Sequence, residues 1–172
     1  VPAYPIEFVL GGARSGKTRH ALELANASGL QPVYVATGIA FDDEMRDRIA
    51  RHRQERGPQW STAEEPRDLC GVIAREAAPD RVLLVDCLTL WLNNIMYAER
   101  ETEAETDALC AALAACAGPI ILVSNEVGLG IVPGNALARA FRDAQGRLNQ
   151  AVARIATRVT FVAAGLPLVL KG

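Results

Sequence analysis

The chain has 172 residues, about one domain's worth, and half of them are apolar, enough for a single core that removes roughly 70% of the unfolded surface from water. With 22% charged and only 5% aromatic residues, it is neither a disordered tail, a collagen-like repeat nor an aromatic platform for single-stranded nucleic acid. The 18 basic and 20 acidic side chains leave a formal net charge of −2, so no nucleic acid is expected as the main partner, and any bound anion must be small and held locally.

A single domain over 1–172 is expected, with no internal repeat or low-complexity tract. Val1 to Pro5 carries no charged leader ahead of an apolar stretch and does not read as a signal peptide. The run from Val159 to Leu170 is too short for a bilayer and is broken by Gly165 and Pro167, so no membrane insertion is expected. Cys70, Cys87, Cys110 and Cys116 show neither a C-x-x-C pair nor metal-ligand spacing, and read as reduced, partly buried residues of a cytoplasmic protein rather than a disulfide or metal set.

In chain order, the first short apolar run is Ile6 to Leu10, predicted as a strand buried on both faces. It runs into Gly11-Gly12-Ala13-Arg14-Ser15-Gly16-Lys17-Thr18, which fits the phosphate-loop pattern G-x-x-x-x-G-K-[ST] and is followed by a helix over Lys17 to Ala27. In such a loop, glycines let backbone N–H groups turn inward and the helix N-terminus adds positive potential. Lys17 supplies a point charge, and the Thr18 hydroxyl is a ligand for Mg²⁺. Lys17 and Lys171 are the only lysines, every other basic residue being arginine. His20 reads as a structural or surface residue.

A second strand is predicted over Pro32 to Ala36, then a helix from Phe41 to Arg56 ended by Gly57-Pro58. Carboxylates fill that helix's first turn and arginines its last, as the macrodipole favours. Met45 and Ile49 define an inward stripe that continues to His52 and Arg56. Beside Arg51, Arg53 and Arg56, the His52 ring is favoured in its neutral, nucleophilic form. The residues alone leave open whether His52 is a nucleophile or an incidental histidine on a solvated, arginine-rich face.

Pro66 to Ala77 is predicted as a helix with Pro in its first turn, and Arg81 to Asp86 as a strand that ends on a carboxylate. Asp86 is placed either as an acid on the Mg²⁺ side of the phosphate loop or as the N-cap of the next helix, roles that are compatible. Helices follow over Leu88 to Tyr97 and Ala104 to Ala117, and the glutamates at 99, 101, 103 and 105 between them read as a solvated loop or helix start. After a strand at Pro119 to Ser124 comes Ser124 to Pro133, either a shaped functional loop or a plain connection with glycine turns. The last long helix, Ala136 to Thr157, carries Leu137, Phe141, Leu148, Val152 and Ile155 on one stripe expected to pack on the sheet. Arg158 to Ala163 is predicted as a strand, and Leu168 to Leu170, after Leu166-Pro167, as an antiparallel edge strand reached by a tight turn.

Several of these stretches, in this order, resemble one family. They are the phosphate loop Gly11 to Thr18, Asp42-Asp43-Glu44-Met45 with Arg48-Ile49-x-x-His52, and Trp60 with Thr62 and Glu64. Asn125-Glu126-Val127-Gly128-x-Gly130-Ile131-Val132-Pro133 and Phe141-Arg142-Asp143-x-x-Gly146-Arg147-x-Asn149-Gln150 complete the set. Together they look like the bifunctional adenosylcobinamide kinase/adenosylcobinamide-phosphate guanylyltransferase family, from Ile6 to about Leu170. The resemblance implies an α/β phosphate-loop NTPase fold of the RecA-like kind, a mostly parallel sheet with helices on both faces. It implies two reactions: phosphorylation of adenosylcobinamide with ATP or GTP, then transfer of GMP from GTP to adenosylcobinamide phosphate through a guanylyl-histidine.

Position by position, the resemblance puts the covalent histidine at His52 and nucleotide-binding positions at Gly11, Gly12, Ala13, Arg14, Ser15, Gly16, Lys17 and Thr18. Further nucleotide-binding positions fall on Ala36, Thr37, Gly38, Arg53, Arg56, Glu64 and Asp86. Lys17 is catalytic together with His52, and Thr18 and Asp86 are the metal-side pair for Mg²⁺. Thr18 stands where serine is frequent in the family, and Asp86 where some relatives carry glutamate; both keep the metal chemistry. A homotrimer is also implied. The alternatives are a phosphate-loop small-molecule kinase without guanylyl transfer and a non-enzymatic GTP-binding module.

Overall fold

A computed structural model of the chain describes residues 2–39, 43, 46–47, 50 and 56–172. Seven strands form one sheet: β1 Ile6–Gly11, β2 Gln31–Ala36, β3 Ser61–Glu64, β4 Arg81–Asp86, β5 Ile120–Asn125, β6 Arg158–Ala163 and β7 Leu166–Lys171. Their order across the sheet is β3-β2-β4-β5-β1-β6-β7, and every neighbouring pair is parallel except β6 with β7. Among the described residues the helices are α1 Lys17–Ala27, α2 Leu69–Glu76, α3 Leu88–Tyr97, α4 Thr102–Ala114 and α5 Ala136–Ile155.

The period-two alternation of the strands divides the core. Phe8 and Leu10 of β1, Val33 and Val35 of β2, Leu83 and Val85 of β4 and Ile120 and Leu122 of β5 join Leu69, Trp91, Leu92, Leu109, Leu113, Leu148 and Val152 from α2 to α5. The intervening residues, Val9, Leu84, Ile121 and Val123, meet Ala21 and Ala25 of α1 on the opposite face. Helices therefore lie on both faces of a mostly parallel sheet, as expected, and the carboxyl ends of β1, β2, β4 and β5 open along one edge.

Some boundaries differ from the sequence reading. The third helix was expected from Pro66, but α2 begins at Leu69: Glu65 Oε1 accepts from the N–H groups of Arg67 and Asp68, and Asp68 Oδ1 accepts from Gly71 N at 2.9 Å, capping the helix there. Helix α4 spans 102–114 rather than 104–117, with Glu103 and Glu105 in its first turn. The last helix ends at Ile155, not Thr157, whose N–H and hydroxyl instead donate to Ile6 O. Leu137, expected on the packed stripe, is 67% exposed in the first turn of α5, while Leu148 and Val152 further along are fully buried.

Strand β3 was not anticipated. Ser61-Thr-Ala-Glu64 has no apolar run, and it is a strand because β2 offers it a parallel edge. The C-terminal strand begins at Leu166 rather than Leu168, since the tight turn is Ala164-Gly165, both at positive φ, which suits a two-residue hairpin. Pro167, with no N–H to donate, is tolerated because β7 is an edge strand. No described helix is long and apolar enough to cross a membrane.

Candidate functional site

The phosphate loop joins β1 to α1 at the carboxyl edge of the sheet. Gly16, the N-cap of α1, sits at φ 93°, a left-handed conformation open to glycine at little cost. At Gly11 an added Cβ would lie 2.6 Å from Val162 O, so no side chain fits between β1 and β6 there. The loop is braced on both sides: Gly165 N from the β6–β7 turn donates to Ser15 O at 2.7 Å, and Glu126 N donates to Gly11 O at 3.1 Å. Lys17 reaches back to donate from Nζ to Gly12 O at 2.9 Å, which folds its ammonium over the loop.

Asp86 ends β4 facing this loop. Its Oδ2 accepts from Thr18 Oγ1 at 3.2 Å and from the Tyr34 hydroxyl at 2.8 Å. The residues therefore bring together the lysine, hydroxyl and carboxylate foreseen for a nucleotide and its cation. Helix α3 is N-capped by Cys87 without a side-chain bond, so the N-cap alternative for Asp86 is not realised. Among the described residues no cluster of three or more His, Cys, Asp or Glu could cage a metal by itself. Mg²⁺ suits the pair that is present: it is a hard cation commonly held by one carboxylate together with substrate phosphates and water.

Tyr34 links this centre to the next. Burial raises the Tyr34 phenol well above its usual range, with the charge and hydrogen bond of Asp86 adding to it. The Arg56 guanidinium lies 3.6 Å from the centroid of its ring, and Trp60 meets the ring edge-on at 6.2 Å. Arg56 is buried and points inward as its stripe predicts. His52 and Arg53, with Met45 and Ile49 of the same stripe, lie outside the described residues, as does most of the segment expected as a helix over 41–56.

The strand ends place the other predicted positions. Ala36 is in register with Glu64 on one side and Asp86 on the other, so both acids stand at the same edge, Glu64 exposed at the end of β3. Thr37 is fully buried, its hydroxyl donating to Cys87 O at 2.7 Å and accepting from Cys87 N at 2.8 Å. That side chain ties the ends of β2 and β4 together. Burial raises the Cys87 thiol to about 11, with Asp86 contributing, so it stays protonated at neutral pH; all four cysteines are free.

One residue the motif reading left without a role is Asn125. It ends β5, in register with Gly11, on the strand between the phosphate-loop strand and the Asp86 strand. Its N–H donates to Thr89 Oγ1 at 2.8 Å and its carbonyl accepts from Asn149 Nδ2 at 3.2 Å, so side chains from α3 and α5 clamp its main chain. Asn149 is itself held by Ser124 and Gln145 in a buried polar cluster. Only the strand order reveals this placement.

A parallel sheet whose phosphate loop faces a strand-end carboxylate defines a phosphate-loop nucleotide-binding protein, and the comparisons narrow that class. The cobinamide kinase / cobinamide phosphate guanyltransferase family model matches residues 7–170. The chain is 50% identical over 168 residues to the bifunctional adenosylcobalamin biosynthesis protein CobP of Pseudomonas aeruginosa, covering 96% of this chain and 97% of that protein. It is 41% identical over 179 residues to the bifunctional adenosylcobalamin biosynthesis protein CobU of Salmonella typhimurium, covering 95% and 98%. A solved structure of the RadB recombinase overlaps 91% of this chain and 73% of its own, with 16% identity and a TM-score of 0.49. The chain belongs to the cobinamide kinase / cobinamide phosphate guanyltransferase family, and it is a transferase.

Proposed function

We propose that the protein phosphorylates the hydroxyl of adenosylcobinamide with ATP or GTP, and then transfers GMP from GTP to the resulting phosphate through a covalent guanylyl-His52, releasing pyrophosphate. The observation that supports this best is the family match over residues 7–170 on a chain whose Lys17, Thr18 and Asp86 converge at one sheet edge.

In the first reaction the inward N–H groups of the phosphate loop and Lys17 hold the donor's phosphates and stabilise charge as the terminal phosphoryl group moves to the acceptor oxygen. Thr18 and Asp86 are the residues that would hold Mg²⁺, which neutralises phosphate charge when bound. In the second, neutral His52 attacks the GTP α-phosphorus, the bond to the β-phosphate oxygen breaks, and pyrophosphate leaves. An oxygen of the acceptor phosphate then displaces the histidine, giving adenosylcobinamide-GDP and restoring His52. Arg53 and Arg56 would flank the guanylylated ring, with Ala36 to Gly38 and Glu64 along the nucleotide. A cytoplasmic homotrimer belongs to the same proposal, and light scattering on the purified protein checks the trimer.

The deciding experiment incubates the protein with Mg²⁺ and GTP labelled on the α-phosphate, then denatures it. Acid-labile, alkali-stable label on the peptide containing His52, absent from His52→Ala, is expected. GTP binding without covalent label overturns the guanylyl-histidine and leaves a kinase or a binding module, separated by whether cobinamide is phosphorylated.

A further inference from the structure

Beside the loop that leaves β5 lies a cavity of about 630 Å³, within the range of small-molecule sites. Its wall is mostly apolar, with Met96 and Tyr97 from α3, Val127 from the loop and Leu137 and Phe141 from α5, while Asn93, Glu99, Asn135 and Arg142 add polar groups. Two of its apolar lining side chains are largely exposed, Tyr97 at 78% and Leu137 at 67%.

The cavity is built without a ligand. Arg142 Nη2 donates to Gly128 O at 2.6 Å, Glu126 Oε1 accepts from Gly128 N at 2.6 Å, and Arg139 Nη1 donates to Pro133 O and Gly134 O at 3.0 and 2.9 Å. The loop is thus fastened near its two ends, to itself and to α5. The cavity also adjoins the phosphate site, for Val127 in its wall is two residues from Asn125, which pairs with Gly11. Two residues of chain span at most about 7 Å.

We infer that this cavity receives the body of the acceptor: a bulky ring system with broad apolar faces and peripheral amides, whose hydroxyl or phosphate arm reaches past Asn125 to the phosphate loop. Apolar walls take up the ring faces, and the side-chain amides of Asn93 and Asn135 match amide substituents. Arg142 places positive charge on the wall for the phosphorylated arm of the second step. The inference rests on the acceptor reading above.

The test measures cobinamide KM and kcat, GTP affinity and native mass for the wild-type protein, Leu137→Glu and Ala138→Trp. Both positions are in the first turn of α5, the first exposed and the second at the cavity wall. Each variant is expected to raise cobinamide KM about tenfold or more with little change in kcat, and to keep GTP affinity within about twofold and native mass unchanged. Unchanged cobinamide KM in both variants overturns the inference, and so does a KM change that appears only together with altered native mass, which makes the cavity a face between copies. A wild-type protein that binds GTP but does not turn over cobinamide overturns the proposed function itself.

Discussion

The Tyr34 hydroxyl donates to Asp86 Oδ2 at 2.8 Å, the same oxygen that Thr18 reaches at 3.2 Å. A phenol from β2 thereby orients the carboxylate that faces the phosphate loop, while Arg56 lies over the other side of the phenol ring. Tyr34→Phe removes a hydrogen bond to a charged acceptor, and a loss of about 1.5–3 kcal/mol in stability is expected from urea unfolding. A double-mutant cycle with Asp86→Asn should show coupling of about 1 kcal/mol or more. Additive effects would mean that the two side chains act independently.

The same bond has a pH signature. Because the Tyr34 pKa is raised in the folded protein above its ordinary 10.0, its contribution is fully present below about pH 10 and is lost as the pH rises further. Above that point the unfolded chain loses the proton and the native one keeps it, so stability falls by about 1.4 kcal/mol per pH unit from this group. Chemical unfolding at pH 9 to 11 checks the slope, which Tyr34→Phe should reduce. Equal slopes in both proteins would contradict the raised pKa.

Lys17→Ala is expected to leave the fold intact, since among the described residues the ammonium's acceptor is Gly12 O, on a partly exposed loop. Turnover should fall about 10²- to 10³-fold in each nucleotide-dependent step, as is typical when a preorganised charge is removed from a transition state. Steady-state rates with cobinamide and with its phosphate measure both steps. Full activity would remove Lys17 from the phosphate site.

Asn125→Ala deletes a side chain carried at the end of the strand between the phosphate-loop strand and the Asp86 strand, while the clamp on its main chain by Thr89 and Asn149 remains. A drop in kcat of about tenfold or more with GTP affinity retained is expected if the amide positions the reacting groups. Rates with saturating cobinamide decide it; an unchanged kcat would assign the residue to the architecture of the β5 end alone.

By itself the sequence determined the phosphate loop, the carboxylate ending β4, the long strands and the helix on which Thr18 stands. Those features are written in contiguous residues: a glycine pattern between an apolar run and a helix needs no distant partner to be recognised. It also singled out Arg56 as inward-facing, from a helical spacing of three and four. The tertiary structure decided the rest. Ser61 to Glu64 becomes a strand only against the edge of β2, and the start of α2 moves to Leu69 through the bonds of Glu65 and Asp68. Leu137 satisfies the helical stripe, yet stays 67% exposed, because periodicity marks a face of the helix and not how far along it the core reaches. Tyr34 and Asp86 are 52 residues apart, as are Thr18 and Asp86 by 68. No local pattern encodes which strand ends share an edge, because that depends on strand order and register, which are set by the packing of the whole core.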